Sequence, residues 1–274
     1  LRGLCDIHTH GNSGFDFSDG NYDGLVEMAR FLYRRGVTRF CPTTMALPEQ
    51  KLMRMCQNAK RLHDEPVAGC AKLVGINLEG PFFSYEKRGA QCADYLINPD
   101  YELYTRLQRA AGGLIKIVCV APELAGAMDF IGKVSKEACV SLAHTDCGYD
   151  TAAEAIRAGA RHVTHLYNAM RPMHHREPGL AGAALFSNEL TVELIADGFH
   201  VHPWMMGLTL QNKGVARACL VTDCMHVIGL PDGEYESLGL QVTLDRGRVS
   251  LADNPGVLAG SVLAMDRAVA NMVT

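Results

Sequence analysis

Apolar residues fall into two kinds of stretch along this chain. Short continuous runs such as IKIVCV and ACLV are rich in Val, Ile, Leu and Cys and barely alternate. That is the signature of strands buried on both faces. Between them lie longer segments with helical spacing of apolar residues. The runs predict strands at residues 4–10, 37–44, 73–79, 115–121, 140–144, 163–165, 191–196 and 218–222. Helices are predicted near residues 23–35, 49–63, 100–111, 125–138, 152–160 and 205–213. Strand-then-helix alternation of this kind predicts an α/β fold, a (β/α)8 TIM barrel. A doubly wound open sheet is the alternative, but the first strand is not followed by a Gly-rich phosphate turn. After the eighth strand, residues 228–250 predict an inserted β-hairpin turning at residues 245–247, and a helix-like run, SVLAMDRAVANMVT, follows. No repeat, linker or low-complexity tract interrupts the pattern, so residues 1–274 are taken as one domain.

Composition narrows the function classes. The net charge of −4, with 20% charged residues, points away from a nucleic-acid or membrane-surface role. The first residues, LRGLCDIHTH, lack the apolar centre of a signal peptide. The ten cysteines form no CxxC pair, and several sit in apolar runs. They read as reduced thiols of a cytosolic protein, not as a disulfide framework or a zinc knuckle.

The chemistry lies at the predicted carboxyl ends of the strands. Within residues 141–170, a strand–helix–strand unit, the two strands run into His144 and His165. Parallel strands joined by a helix end at the same sheet edge, so the two imidazoles should be neighbours. His8 and His10 close the first strand, Glu79 the third and Asp223 the eighth; Asp197 and His200 follow the seventh. In a barrel such positions converge on one pocket. Histidines two apart share a strand face. Histidines with a carboxylate form a ligand set for Zn2+ or a similar divalent ion.

The motifs DIHTHG, GINLEGPFF, KRGAQ, SLAHTD, THLYNAM, REPGLAGA, IADGFHV, LVTDC and VLAGS occur in that order. Together they resemble the N-acetylglucosamine-6-phosphate deacetylases of the amidohydrolase superfamily, over essentially the whole chain. The resemblance implies a primary metal site of Glu79, His144 and His165. His8 and His10 match the pair that many superfamily members use for a second ion, giving one or two ions per subunit. Zn2+ is the first expectation, with Fe2+, Mn2+ or Co2+ as alternatives. A carboxylated lysine has no counterpart, since Lys116 lies near the start of the fourth strand; Glu79 would bridge instead. Asp223 matches the family's general base and acid, which takes a proton from water and returns it to the departing amine.

The resemblance further implies a substrate pocket. Ala90 and Gln91 match the loop after the third strand, where some relatives carry a histidine in place of Gln91. Asn168 and Ala169 match a pair that meets the sugar phosphate. Asp197, Gly198, Phe199 and His200 form the loop of a sugar-contacting histidine, and Leu258, Ala259 and Gly260 match a lining loop. Arg176 suits a dianionic phosphate and, in the family, can reach a neighbouring subunit, which implies a homodimer. His174, His175 and His226 are read as solvated or supporting groups. The implied reaction is hydrolysis of N-acetyl-D-glucosamine 6-phosphate to glucosamine 6-phosphate and acetate. The alternatives are an amidohydrolase for another N-acyl or cyclic amide, and a non-catalytic metal-binding relative. The family's small β-sandwich domain, built from both chain ends, is expected to be missing, as in a segment cut from a longer protein.

Overall fold

The computed structural model describes residues 3–237 and 239–273. Its sheet strands are β1 (Leu4–Thr9), β2 (Val37–Pro42), β3 (Ile76–Leu78), β4 (Ile115–Val120), β5 (Cys139–Leu142), β6 (His162–Val163), β7 (Thr191–Ile195) and β8 (Ala218–Val221). The helices are α1 (Tyr22–Arg34), α2 (Glu49–Asp64), α3 (Tyr101–Ala110), α4 (Ala127–Val134), α5 (Tyr149–Ala158), α6 (Gly179–Phe186), α7 (Pro203–Lys213) and α8 (Met265–Val273). This is an α/β protein built on a curled parallel sheet. Strands β3 to β8 pair in sequence order, and β1 pairs β2.

Two seams join these sheets. Residues 72–73 pair in parallel with β2, and an isolated parallel bridge links Thr43 to Asn77 in β3. On the other side Thr9 bridges Cys224, and the backbone N–H of Asp223 donates to the carbonyl of His8 at 2.9 Å. The first and last strands thus share backbone hydrogen bonds at the edge that carries the polar strand ends.

Local chemistry explains the helices. Asn21 caps α1 through the N–H groups of Asp23 and Gly24, and Asp100 caps α3 through those of Glu102 and Leu103. Leu25, Met28, Ala29 and Leu32 of α1 are buried at the spacing of one helix face. The strands meet these helices through a core that includes Phe40, Val118, Leu142 and Val163.

The fold departs from the sequence expectations at three places. The run 73–79 is split into 72–73 and β3, with Gly75 between them at a close approach where a Cβ would stand 2.6 Å from Lys116 Cγ. Helix α6 was not expected, since GLAGAALF is apolar on every side and shows no amphipathic period. Every residue from Gly179 to Leu185 is buried, which is what an all-apolar helix requires. The expected hairpin is a three-stranded antiparallel sheet, β9 (Gly233–Ser237), β10 (Leu240–Asp245) and β11 (Arg248–Leu251). Its second turn falls at 245–248 as expected, with Asp245 opposite Arg248; of the stretch 228–250, Leu238 lies outside the described residues. This sheet closes over its own small core of Val227, Val242, Leu244 and Val249.

Candidate metal centre

Three of the strand ends deliver their side chains through the same backbone feature. His144, His165 and Asp223 have φ values of 46°, 31° and 49°. Non-glycine residues in this left-handed region are uncommon and carry strain. Here the turn follows directly on β5, β6 and β8 and brings all three side chains into one neighbourhood.

That neighbourhood is organised around the carboxylate of Glu79. Its Oε1 lies 3.2 Å from the Nε2 atoms of both His144 and His165, and 3.6 Å from that of His8. Its Oε2 lies 3.2 Å from His10 Nε2. Asp223 Oδ1 lies 3.3 Å from His8 Nε2 and 3.1 Å from His10 Nε2. Two candidate ligand groups result, Glu79 with His144 and His165, and His8 with His10 and Asp223. All six residues are buried.

The donor set suits a divalent cation. The His144 and His165 Nε2 atoms are 3.1 Å apart, and those of His8 and His10 are 3.3 Å apart. Two nitrogens at about 2.0–2.1 Å from one tetrahedral ion are separated by about 3.3 Å. Without a proton or a cation between them, imidazole lone pairs this close repel. His144 Nδ1 lies 2.9 Å from the carbonyl of Lys87. A carbonyl only accepts, so Nδ1 carries the proton and Nε2 presents its lone pair to Glu79 and His165. The ring of His144 also stacks on Phe83, with centroids 4.3 Å apart. The buried Nδ1 atoms of His10 and His165 have no hydrogen-bond partner among the described residues.

Electrostatics point the same way. Burial raises the Asp223 carboxyl, but the charges and hydrogen bonds of His8 and His10 hold it far below the usual range. Burial likewise raises Glu79, and His8, His10, His144 and His165 more than offset it, leaving it well below its ordinary value. Burial depresses His10, yet Asp223 and Glu79 lift it to about 10. His144 is lowered, with desolvation the largest cause. The two carboxylates thus draw positive charge into this neighbourhood, held as protons on His8 and His10 when no metal is bound, and a bound cation would displace those protons.

A cavity of about 620 Å³ opens on the centre. Ala90, Gln91, Asn168, Ala169 and His200 line it, and so do Leu258, Ala259 and Gly260. Gln91 is held by its Oε1, which accepts the Ala46 N–H at 2.7 Å, so its NH2 faces Glu79 Oε2 at 3.4 Å. Asp197, Gly198 and Phe199 lie off the lining. Asp197 accepts the backbone N–H groups of Phe199 and His200, and its Oδ2 sits 2.7 Å from His200 Nδ1. Arg176 also lies off the lining, exposed, with Nη1 2.9 Å from His175 Nε2. His174 and His175 are exposed as well, and His226 Nδ1 is 3.9 Å from Asp16 Oδ2.

Sequence reasoning missed several contributors. Asp253, Asn254 and Val257, after β11, line the cavity, as do Lys87 and Arg88 before Gln91. Glu193 in β7 and His162 in β6 pack behind His8, wholly buried. A lone carboxylate inside the apolar run TVELI was the available signal, because an ionised group in a core strand needs partners.

The Amidohydrolase family model matches residues 1–231. The N-acetylglucosamine-6-phosphate deacetylase of Bacillus subtilis is 42% identical over 99% of this chain and 69% of its own length. An N-acetylgalactosamine-6-phosphate deacetylase of Escherichia coli is 36% identical over 98% of this chain and 70% of its own. Among solved structures, a mutant N-acetyl-D-glucosamine-6-phosphate deacetylase from Mycobacterium smegmatis, in complex with N-acetyl-D-glucosamine-6-phosphate, superimposes with a TM-score of 0.93. It shares 31% identity and covers all of this chain, which spans 72% of that one.

Proposed function

The chain belongs to the amidohydrolase family, within its N-acetylglucosamine-6-phosphate deacetylases, and from that premise we propose how its residues carry out the reaction. The protein hydrolyses the amide of N-acetyl-D-glucosamine 6-phosphate, releasing D-glucosamine 6-phosphate and acetate. Residues 1–274 form the hydrolase unit, a (β/α)8 barrel with the three-stranded sheet inserted after β8; the shared backbone hydrogen bonds at both seams support this reading.

Glu79, His144 and His165 would hold a divalent ion, and His8, His10 and Asp223 would form a second ligand group next to it, with His8 and His10 also near Glu79. Zn2+ fits the imidazole and carboxylate donors, as do Fe2+, Mn2+ and Co2+. When bound, such an ion supplies Lewis acidity, which polarises a carbonyl and acidifies water.

The chain's own residues do the rest. Asp223 is ionised at neutral pH and opens on the cavity, so its carboxylate accepts a proton from the attacking water. It then delivers that proton to the amide nitrogen, which leaves as an amine. The NH2 of Gln91, oriented by Ala46, is a neutral donor for the acetyl oxygen as negative charge develops on it. His200, its ring fixed by Asp197, contacts the sugar. Asn168 and Ala169 border the phosphate end, and the exposed Arg176 reaches the phosphate bound in a neighbouring subunit of a homodimer. Among the described residues no helix is long and apolar enough to cross a membrane; a cytoplasmic site of action is our reading.

The observation that carries this reading is the meeting of the His10, His144 and His165 imidazoles with the Glu79 and Asp223 carboxylates at the floor of one cavity, with His8 buried behind them. An acetate-release assay tests it. Release from N-acetyl-D-glucosamine 6-phosphate should far exceed release from the unphosphorylated sugar, from the galactosamine epimer and from an N-acetylated amino acid. Equal rates on all four would defeat it.

A further inference from the structure

His8 is gripped from behind by a residue that belongs to neither ligand group. Glu193 projects from β7 and is fully buried. Its Oε2 lies 2.8 Å from His8 Nδ1 and also accepts the backbone N–H of His165 at 3.1 Å. Its Oε1 lies 3.1 Å from His162 Nε2, and His162 Nδ1 in turn meets the hydroxyl of Thr191 at 2.5 Å. One carboxylate thus ties together β1, β6 and the turn that carries His165.

The hydrogen-bond geometry fixes a proton. A carboxylate oxygen that already receives a backbone N–H is an acceptor, so the nitrogen of His8 facing it must be the donor. With the proton on Nδ1, the Nε2 lone pair points at His10, Glu79 and Asp223. The opposite tautomer would place an N–H at Nε2 and remove His8 as a ligand. The Lys87 carbonyl does the same for His144. Glu193 goes further, because its charge also makes the imidazole a stronger donor to a cation.

We propose that Glu193, braced by His162, is a positioning residue that holds His8 with its proton on Nδ1, and so makes the His8, His10 and Asp223 group competent to bind a divalent cation. This rests on the reading of His8 as a ligand, and the experiment separates the two. Zn2+ binding is measured by calorimetry for the wild type, His8→Ala, Glu193→Met and Glu193→Gln, with long-range 1H–15N spectra of the Zn2+-loaded proteins.

His8→Ala defines the part of Zn2+ binding that His8 supports. Glu193→Met should weaken that part roughly 10–100-fold, as loss of such a supporting partner does. Glu193→Gln should restore most of it. Its amide oxygen can occupy the position that accepts from His165 and His8, leaving its NH2 for His162. The wild-type spectrum should show His8 protonated at Nδ1 and coordinated through Nε2. Binding in Glu193→Met equal to the wild type overturns the inference while leaving His8 a ligand. No loss in His8→Ala overturns the ligand reading and the inference with it. Where Glu193→Met fails to fold, the wild-type spectrum decides alone: a His8 ring protonated at Nε2 contradicts the assignment.

Discussion

The backbone N–H of Asp223 donates to the carbonyl of His8 at 2.9 Å, and the side chains of the same two residues meet at 3.3 Å. The last strand's proton carrier is thereby locked to the first strand's histidine. Asp223→Asn keeps the shape and the backbone bond but cannot accept a proton. It should lower kcat by roughly 10²–10⁴-fold, the usual worth of general acid–base catalysis, with the ion at Glu79, His144 and His165 retained. Steady-state kinetics beside elemental analysis check this; an unchanged kcat would remove Asp223 from the reaction.

Removing metal should cost stability as well as activity. An ion bound only by the folded chain stabilises it by about 4 kcal/mol at a thousand times its Kd. Dialysis against a chelator should lower Tm, and Zn2+ should restore it. In Glu79→Gln, whose carboxylate touches all four histidines, Tm should be insensitive to chelator.

Asp197 carries a prediction about the sugar. Burial raises its carboxyl, but the hydrogen bond and charge of His200 hold it below the usual value. Asp197→Asn weakens a charge-assisted bond worth about 1.5–3 kcal/mol. It should raise KM by roughly tenfold or more while changing kcat less. An equal fall in kcat with KM constant would argue against a role for His200 in binding.

Alkaline pH should unfold the protein through its buried thiols. Burial pushes Cys41, Cys56 and Cys147 from an ordinary 9.0 to about 12. Above pH 9 the unfolded chain releases these protons while the folded chain keeps them. The folded state's advantage is whole below pH 9 and falls as pH rises toward 12, by at most about 1.4 kcal/mol per thiol per pH unit. Denaturant titrations at pH 8 and pH 10 should show the loss, and Cys56→Ala should reduce its slope.

Lys213 offers a test of the unexpected helix α6. Buried at the end of α7, its ammonium donates to the carbonyls of Ala184 at 2.8 Å and of Ser187. Lys213→Met leaves those helix-end carbonyls unpaired and should cost about 1–3 kcal/mol, read as a lower Tm with metal binding intact.

The strand ends were legible because strand runs and single polar residues at their termini are local signals. His8, His10, Glu79, His144, His165 and Asp223 all lay where an apolar run stops. The turns that aim His144, His165 and Asp223 inward were not legible, since nothing in SLAHTD or LVTDC announces a left-handed backbone at a histidine or aspartate. Helix α6 was hidden by the absence of a polar face. Glu193 was visible as a charge in a core strand, but its partners come from β1 and β6, and only the fold brings them together. The cavity residues beyond the inserted sheet likewise reach the site only through the fold.

The most direct test titrates Zn2+ back into chelated protein and follows bound metal and acetate release on the same samples. Acetate release should be absent from the metal-free protein and rise in proportion to the ion bound through Glu79, His144 and His165. Full acetate release from protein that holds no metal would contradict the account.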